Sequence, residues 1–377
     1  MALDPRRLTK AFISLDNLVH NVHLLQELAG KRSLWPVIKA NAYGHSAEMI
    51  GRRLVSLGCM TLAVADAAEA IALTEAGVDA TFIILSATLP EHCQALVAYR
   101  CEPVVCTLEM AEALGHEARK VGKRISVHLK VDTGMGRIGI QPEEVTDFLD
   151  LCRAHSSLKV RGLMSHFARA DESDKAFSEQ QIRLFRGLVD ATRSYGIEFN
   201  HMANSAALLD LPGSYFDAVR PGIAIYGLRP SREIGNPRAD DLRPVLEWKT
   251  RIIFLKEVPA GMGLSYGHDF CTDRPSLIAT VPAGYADGLS RRLSNNLEVL
   301  VRGVRCPQVG RITMDMSLID VTVLQGRVRL GDEVVLIGRQ YEEEITADEL
   351  AAKLKTINYE IVSAIARRVP RVVADTL

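Results

Sequence analysis

Residues 103–131, PVVCTLEMAEALGHEARKVGKRISVHLKV, decide the architecture. The stretch opens on a short apolar run, Pro103–Cys106, and closes on a longer one, Ile125–Val131. Between them Leu108, Ala111, Leu114, Ala118 and Val121 recur at three- and four-residue steps, the period of a helix with one apolar face. A strand reached from another strand through a helix lies parallel to it, so this is a βαβ unit.

The same rhythm extends outward over residues 10–230. Eight apolar runs are expected as strands: Trp35–Lys39, Leu62–Ala65, Thr81–Leu85, Pro103–Cys106, Ile125–Val131, Val160–Ser165, Phe199–Met202 and Ala218–Tyr226. Helical stretches such as Asp66–Ala76 separate most of them. Eight alternations over about 220 residues match a TIM-like (β/α)8 barrel, with a doubly wound open sheet as the competing arrangement. Beyond residue 240 the runs follow one another without helices: Glu247–Val258, Ser276–Val281, Leu297–Val301, Val304–Val309, Ser317–Val323 and Glu333–Ile337. That pattern predicts a mostly antiparallel β domain with one helix, Ala347–Lys355. The fold class is therefore α/β, with a barrel at 1–240, a C-terminal β domain at 241–377 and a junction near Gly235 and Pro237.

The 377 residues suffice for two domains with cores of their own. Lys plus Arg is 45 and Asp plus Glu is 46, a net charge of −1. This balance gives no bulk attraction to nucleic acid or anionic lipid, so neither is expected as a partner. No uncharged apolar run approaches the roughly eighteen residues of a membrane span. The stretch Met1–Lys10 has basic residues without an apolar segment behind them, so no secretory signal is expected. Seven cysteines, an odd number with no Cys-x-x-Cys pair, suggest free thiols in a reducing cytoplasm.

Barrel enzymes carry their chemistry at the C-terminal ends of the strands. After the first run stands Lys39, where burial lowers an amine's pKa and prepares it for Schiff-base chemistry; the plainer reading is a lysine reaching to the rim. After the fifth run comes Gly134-x-Gly136-x-x-Gly139. A dinucleotide fingerprint belongs at the first strand of a βαβ unit, so these glycines read as a tight loop presenting Arg137. Lys130 reads, in its plainest form, as an ion-pair partner of Asp132. The later strand ends offer His166, Asn204-Ser205, Arg220, Gly222 and Ile223. A hydroxyl and backbone N–H groups there suit a cofactor phosphate without any lysine. His20 and His23 read as surface histidines, and no metal is expected. Two polar stretches of the β domain, Gly261–Gly267 and Val309–Met316, read alone as hairpin loops.

Taken together and in order, Val37–His45, Lys130–Gly139, Asn204-Ser205, Arg220–Gly227, Gly263–Gly267, Ala283–Asp287, Gly310–Asp315 and Tyr359 resemble bacterial alanine racemases, pyridoxal 5'-phosphate (PLP) enzymes of fold type III. The resemblance runs from Ala11 to about Arg371. It implies a barrel followed by a β domain, and a cytoplasmic homodimer whose active sites are shared between subunits. It also implies interconversion of L- and D-alanine, the D-alanine serving peptidoglycan. By the same resemblance, Lys39 bonds PLP and then acts as one base, while Tyr266 of the partner subunit is the other. Tyr43, Asn204, Ser205, Gly222, Ile223 and Tyr359 fall among the cofactor-binding positions. Arg220 faces the pyridine nitrogen, and His166 bridges it toward Tyr266. Arg137 lies near the cofactor's phenolic oxygen and the substrate, while Met314 and Asp315 lie near the substrate carboxylate. Lys130 matches a lysine carbamylated in some members. Thr313 stands where some relatives have Cys.

Other readings compete. A racemase of serine would share the machinery. A decarboxylase of similar architecture carries an acid at the pyridine nitrogen, against which Arg220 counts. A PLP-binding barrel without turnover lacks a β domain, against which Tyr266 and Asp315 count.

Overall fold

Eight parallel strands stand side by side in the order Ser33–Leu34, Ala218–Val219, Phe199–His201, Leu158–Met164, Ile125–Lys130, Glu102–Val105, Thr81–Ile84 and Thr61–Val64. The computed structural model describes residues 7–374. Val37 bridges Ala63 in parallel and brings the two ends of the series together. Ile38 N–H donates to Ala63 O at 2.8 Å, and Ala63 N–H to Pro36 O at 2.9 Å. The sheet is thus a nearly closed TIM-like barrel, not a doubly wound open sheet.

Local chemistry explains the helices between the strands. Thr107 caps Leu108–Lys120 by accepting from Met110 N–H, and Asp66 caps Ala67–Glu75 by accepting from Glu69 N–H. Two expected runs differ in detail. Trp35–Lys39 is not a continuous strand, because Pro36 has no N–H for the ladder; pairing is regular only at Ser33–Leu34 and at Val37. Ala218–Tyr226 shortens to Ala218–Val219, since Pro221-Gly222 breaks it and a 3-10 turn, Ile223–Tyr226, follows.

The second sheet runs Phe254–Val258, Ser276–Val281, Ser317–Asp320, Val304–Val309, Glu298–Val301, Glu333–Gln340, Leu246–Arg251, Lys10–Ile13, Arg371–Val373, with Glu343–Ile345 paired to Glu333–Gln340. All of its pairs are antiparallel except Lys10–Ile13 with Arg371–Val373. The single run expected at Glu247–Val258 is two strands. Leu246–Arg251 pairs with Glu333–Gln340, whereas Phe254–Val258 pairs with Ser276–Val281. The run expected through Val323 stops at Asp320, whose carboxylate accepts from Thr322 N–H at 2.9 Å and turns the chain.

Two compact units result. One holds Asn17–Ala42 and Ala47–Arg243; the other holds the chain through Asp16, Tyr43–Ser46 and everything from Pro244. An expected barrel at 1–240 therefore differs at its N-terminal end, because Lys10–Ile13 finds its hydrogen-bond partners in the second sheet. No helix among the described residues is long and apolar enough to cross a membrane. All seven cysteines are free thiols.

Gly44 shows how tightly the short segment Tyr43–Ser46 is held. Its φ is +85°, and a Cβ there would stand 2.2 Å from Val362 O. Arg371 Nε donates to Gly44 O at 2.8 Å. Gly44→Ala combines backbone strain with overpacking and should cost about 2–5 kcal/mol. The expected result is a lowered urea midpoint at unchanged m-value; an unchanged midpoint would show that the segment relaxes freely.

Candidate active site

At the barrel's C-terminal rim, Lys39 begins an unusual turn. Ala40, Asn41, Ala42 and Tyr43 follow one another at φ values of 52° to 55°. Left-handed backbone costs such residues about 1–2 kcal/mol each, so the surroundings must impose it. Glu69 accepts from Ala40 N–H at 2.6 Å and from Ala65 N–H at 2.8 Å. Asn41 Oδ1 accepts from Ala47 N–H at 2.9 Å. Partial burial, then the Arg137 cation, hold the Lys39 amine below the ordinary lysine range, while Glu69 pulls the other way.

Arg220 follows the neighbouring strand, Ala218–Val219, which pairs with Ser33–Leu34, and is 3% exposed. Its Nη1 donates to His201 Nδ1 at 2.5 Å; its Nη2 donates to Ser165 O at 2.9 Å and Met202 O at 3.3 Å, with His166 Nδ1 at 3.5 Å. Among the described residues it has no carboxylate partner, and its Nε–H has no acceptor. Burial pushes Arg220 down to about 9, still cationic at neutral pH. Burial first, then the cations Lys130, Arg220, Arg137 and Lys39, drive His166 well below the usual histidine value.

The expected ion pair of Lys130 with Asp132 is absent. Asp132 Oδ1 instead accepts the N–H groups of Gly134, Met135 and Gly136 at 2.9, 2.8 and 3.1 Å, which is what shapes the glycine loop. Lys130 is 3% exposed and forms no ion pair among the described residues. Burial, then Arg220 and Arg137, push its amine well below the ordinary range. Arg137 is exposed on the loop and makes no hydrogen bond or ion pair among the described residues.

The next feature is a cradle for an anion. Ser205 Oγ accepts from Gly222 N–H at 2.8 Å and Ala224 N–H at 3.3 Å, so its own proton remains to be donated. Ile223 heads the 3-10 turn, where an N–H has no intrahelical acceptor. Asn204 caps the next helix by accepting from Ala207 N–H at 3.0 Å. Donors without a lysine fit a phosphate monoester, and the desolvated Lys39 amine fits an aldehyde; the donor set accommodates PLP.

Within the second unit, Tyr266 is 69% exposed on a strained turn: Ser265 at φ 61°, Gly267 at 75° and His268 at 50°. Ser265 Oγ donates to Arg311 O at 2.7 Å, and Arg311 pairs with Asp269, so the turn is anchored. Tyr285 N–H donates to Thr313 O at 3.0 Å beside Met314, which is 53% exposed. Arg368 joins Asp315, at 2.7 Å, to the fully buried Asp287, at 2.8 Å. The rings of Tyr43 and Tyr359 lie 6.0 Å apart. His20 and His23 lie together on the helix Leu15–Ala29, and His20 Nε2 is 2.9 Å from Asp241 O.

Sequence reasoning missed Glu69, Arg368 and the buried polar residues Glu102 and His128. The one signal for His128 was a histidine on an otherwise inward-facing apolar strand. His128 and His201 are fully buried and held below the usual histidine value, first by desolvation. They stay neutral in the fold but take up protons in the unfolded chain. Stability should therefore fall as the pH drops below about 6.5, by up to about 1.4 kcal/mol per pH unit for each such histidine. Urea unfolding at pH 7.5 and 5.5 checks this; equal stability would mean that the histidines protonate in place.

Family models supply the comparison. "Alanine racemase, N-terminal domain" matches residues 13–230, and "Alanine racemase, C-terminal domain" matches 245–373. An alanine racemase of Halothermothrix orenii is 46% identical over 97% of this chain and 96% of its own. Alanine racemase 2 of Caldanaerobacter subterraneus subsp. tengcongensis is 42% identical over 98% and 95%. Among solved structures, an alanine racemase of Clostridium difficile 630 superposes with TM-score 0.94 at 36% identity, covering 98% of this chain and 97% of that one. The Bacillus anthracis alanine racemase with bound L-Ala-P gives 0.91 at 36% identity, covering 99% and 96%.

Proposed function

The chain belongs to the alanine racemase family and is an isomerase of that kind; on that premise we propose that it racemises alanine with PLP through two bases, Lys39 and Tyr266, contributed by different subunits of a homodimer. The observation that carries this reading is the pairing of a desolvated Lys39 amine with a lysine-free anion cradle on the same barrel rim.

When bound, PLP supplies an electron sink that acidifies the substrate's α-C–H bond. The Ser205 hydroxyl and the Ile223 N–H would hold its phosphate, with Gly222, whose N–H bonds Ser205 Oγ, shaping the cradle, and the resemblance adds Asn204, Tyr43 and Tyr359 to the cofactor set. Lys39, with its partly desolvated amine, would be the residue that holds the cofactor's aldehyde and would hold or return a proton at the substrate's α-carbon. By resemblance Arg220 would face the ring nitrogen, with its Nε–H as the available donor. Because arginine keeps its proton, that nitrogen would stay unprotonated, which would weaken the sink and disfavour transamination. By resemblance Arg137 would lie near the cofactor's phenolic oxygen and the substrate, and Met314 and Asp315 near the substrate carboxylate.

Two bases are needed because a single base tends to return the proton to the face it came from. Tyr266 would serve the second face. The unit that carries Tyr266 also exposes the apolar residues Met262, Tyr285, Met314 and Met316, which supports a partner subunit over them. Lys130, its buried amine held well below the ordinary lysine range by desolvation and by Arg220 and Arg137, is suited to adding CO2, which would make it an anionic carbamate and release a proton. The proposal extends to a cytoplasmic enzyme whose D-alanine supplies peptidoglycan.

Subunit mixing tests the shared site. After exchange, Lys39→Ala and Tyr266→Phe chains form hybrids in which one of two sites has both bases, so about a quarter of wild-type activity should return. No recovery after verified exchange would mean that each site is built within one chain.

A further inference from the structure

Behind Arg220 a line of hydrogen bonds crosses the barrel interior. His201 Nδ1 accepts from Arg220, and His201 Nε2 lies 2.9 Å from His128 Nδ1. His128 Nε2 lies 3.0 Å from Glu102 Oε2. Glu102 in turn accepts from Arg161 at 2.6 and 2.8 Å, and Arg161 pairs with Glu198 at 3.0 Å. Glu102 is the first residue of its strand and His201 the last of its own, so the line runs from one end of the barrel toward the other.

The line has only one consistent proton order. Arginine is a donor only, so His201 Nδ1 must carry a lone pair. A neutral His201 then carries its proton on Nε2 and donates it to His128 Nδ1. His128 must therefore hold its own proton on Nε2 and donate to the Glu102 carboxylate. The reverse order would set two donors against each other at Arg220. Burial alone would raise the Glu102 pKa, but the His128 hydrogen bond and the Arg161 cation bring it below the usual carboxylate range. Glu102 is thus the anion at one end, with the Arg220 cation at the other. Two neutral imidazoles, their hydrogen bonds all pointing the same way, polarise one another between these charges.

The packing is built around this line. A Cβ on Gly162 would stand 2.0 Å from His128 Nδ1, so that strand has a glycine where the ring passes. Trp35 packs edge-on against both imidazoles, with centroids 5.9 Å from His128 and 4.9 Å from His201.

We propose that Glu102 and His128 are positioning residues for the racemisation, acting through His201 to fix the orientation of the Arg220 guanidinium and to supply its remote counter-charge. Arg220 has no carboxylate of its own, so the line takes the place of an ion pair while leaving its Nε–H free toward the cofactor. The inference rests on the reading of Arg220 as the residue facing the pyridine nitrogen.

Two measurements test it. The first is nitrogen-15 NMR of histidine-labelled wild-type protein, without and with PLP, with resonances assigned from His128→Gln and His201→Gln spectra. Both histidines are expected as neutral Nε2–H tautomers in either state; an Nδ1–H tautomer or an imidazolium at either position overturns the line. The second is Glu102→Gln, which removes the charge at constant size. Per bound PLP, kcat should fall about 10-fold, as when residues behind a ligand are removed, while KM for alanine moves less than about twofold. An unchanged kcat per bound PLP would reduce Glu102 to a structural role and overturn the proposal. If Glu102→Gln does not fold, the wild-type tautomers decide. If the wild-type chain takes up no PLP, the functional reading fails and the catalytic half of this inference with it, while the spectra still decide the line itself.

Discussion

Lys39→Ala should lose racemisation in both directions by at least about 10^4-fold, the upper range for removing a positioned acid–base group. The loss is larger than for any single binding residue because the proposed mechanism gives Lys39 two roles: holding the cofactor and handling the proton on one face. Its partly desolvated amine is held below the ordinary range. A larger neutral fraction at neutral pH is what both roles require. Fold should be retained, since the strained turn after it is held by Glu69 and Asn41 and not by the lysine side chain. Steady-state rates and reductive trapping of PLP onto the protein check this. Trapping at wild-type yield in the variant would place the covalent bond elsewhere.

Tyr266→Phe should keep PLP binding and lower racemisation about 10^2–10^4-fold. The substitution removes one oxygen from a side chain that is 69% exposed, so stability should hardly change. The strained turn is anchored by Ser265 and Arg311 whether or not the hydroxyl is present. What distinguishes a lost base from a lost binding contact is asymmetry. One enantiomer should still exchange its α-proton with solvent through Lys39, while the other should not. Symmetric loss of exchange for both enantiomers would contradict the assignment of Tyr266 to a single face.

Much of this architecture was legible in the sequence, for identifiable reasons. The βαβ rhythm carried the barrel because strands buried on both faces read as continuous apolar runs. Legibility failed where tertiary partners decide. Nothing local in Glu247–Val258 says that its halves pair with different strands. Lys10–Ile13 precedes the barrel in the chain but pairs within the β domain's sheet.

The candidate site divides in the same way. Lys39 and the Ser205–Gly222 cradle follow from their places after strands. Tyr266 could be singled out only by resemblance, because its loop reads locally as a hairpin turn. Lys130 was misread as an ion-pair partner because Asp132, two residues on, spends its carboxylate on backbone N–H groups. The pairing of Glu102 with His128 was not legible because it spans strands whose register no local pattern gives.

The proposed mechanism needs two bases working on opposite faces of one carbon. The most direct measurement follows PLP-loaded protein with L-alanine in D2O over the first few per cent of conversion. Two bases predict D-alanine carrying deuterium at the α-carbon from its first appearance. D-alanine that keeps the original α-proton would mean one base carrying a proton between faces, and deuterium confined to L-alanine would mean one base serving one face; either would contradict the account.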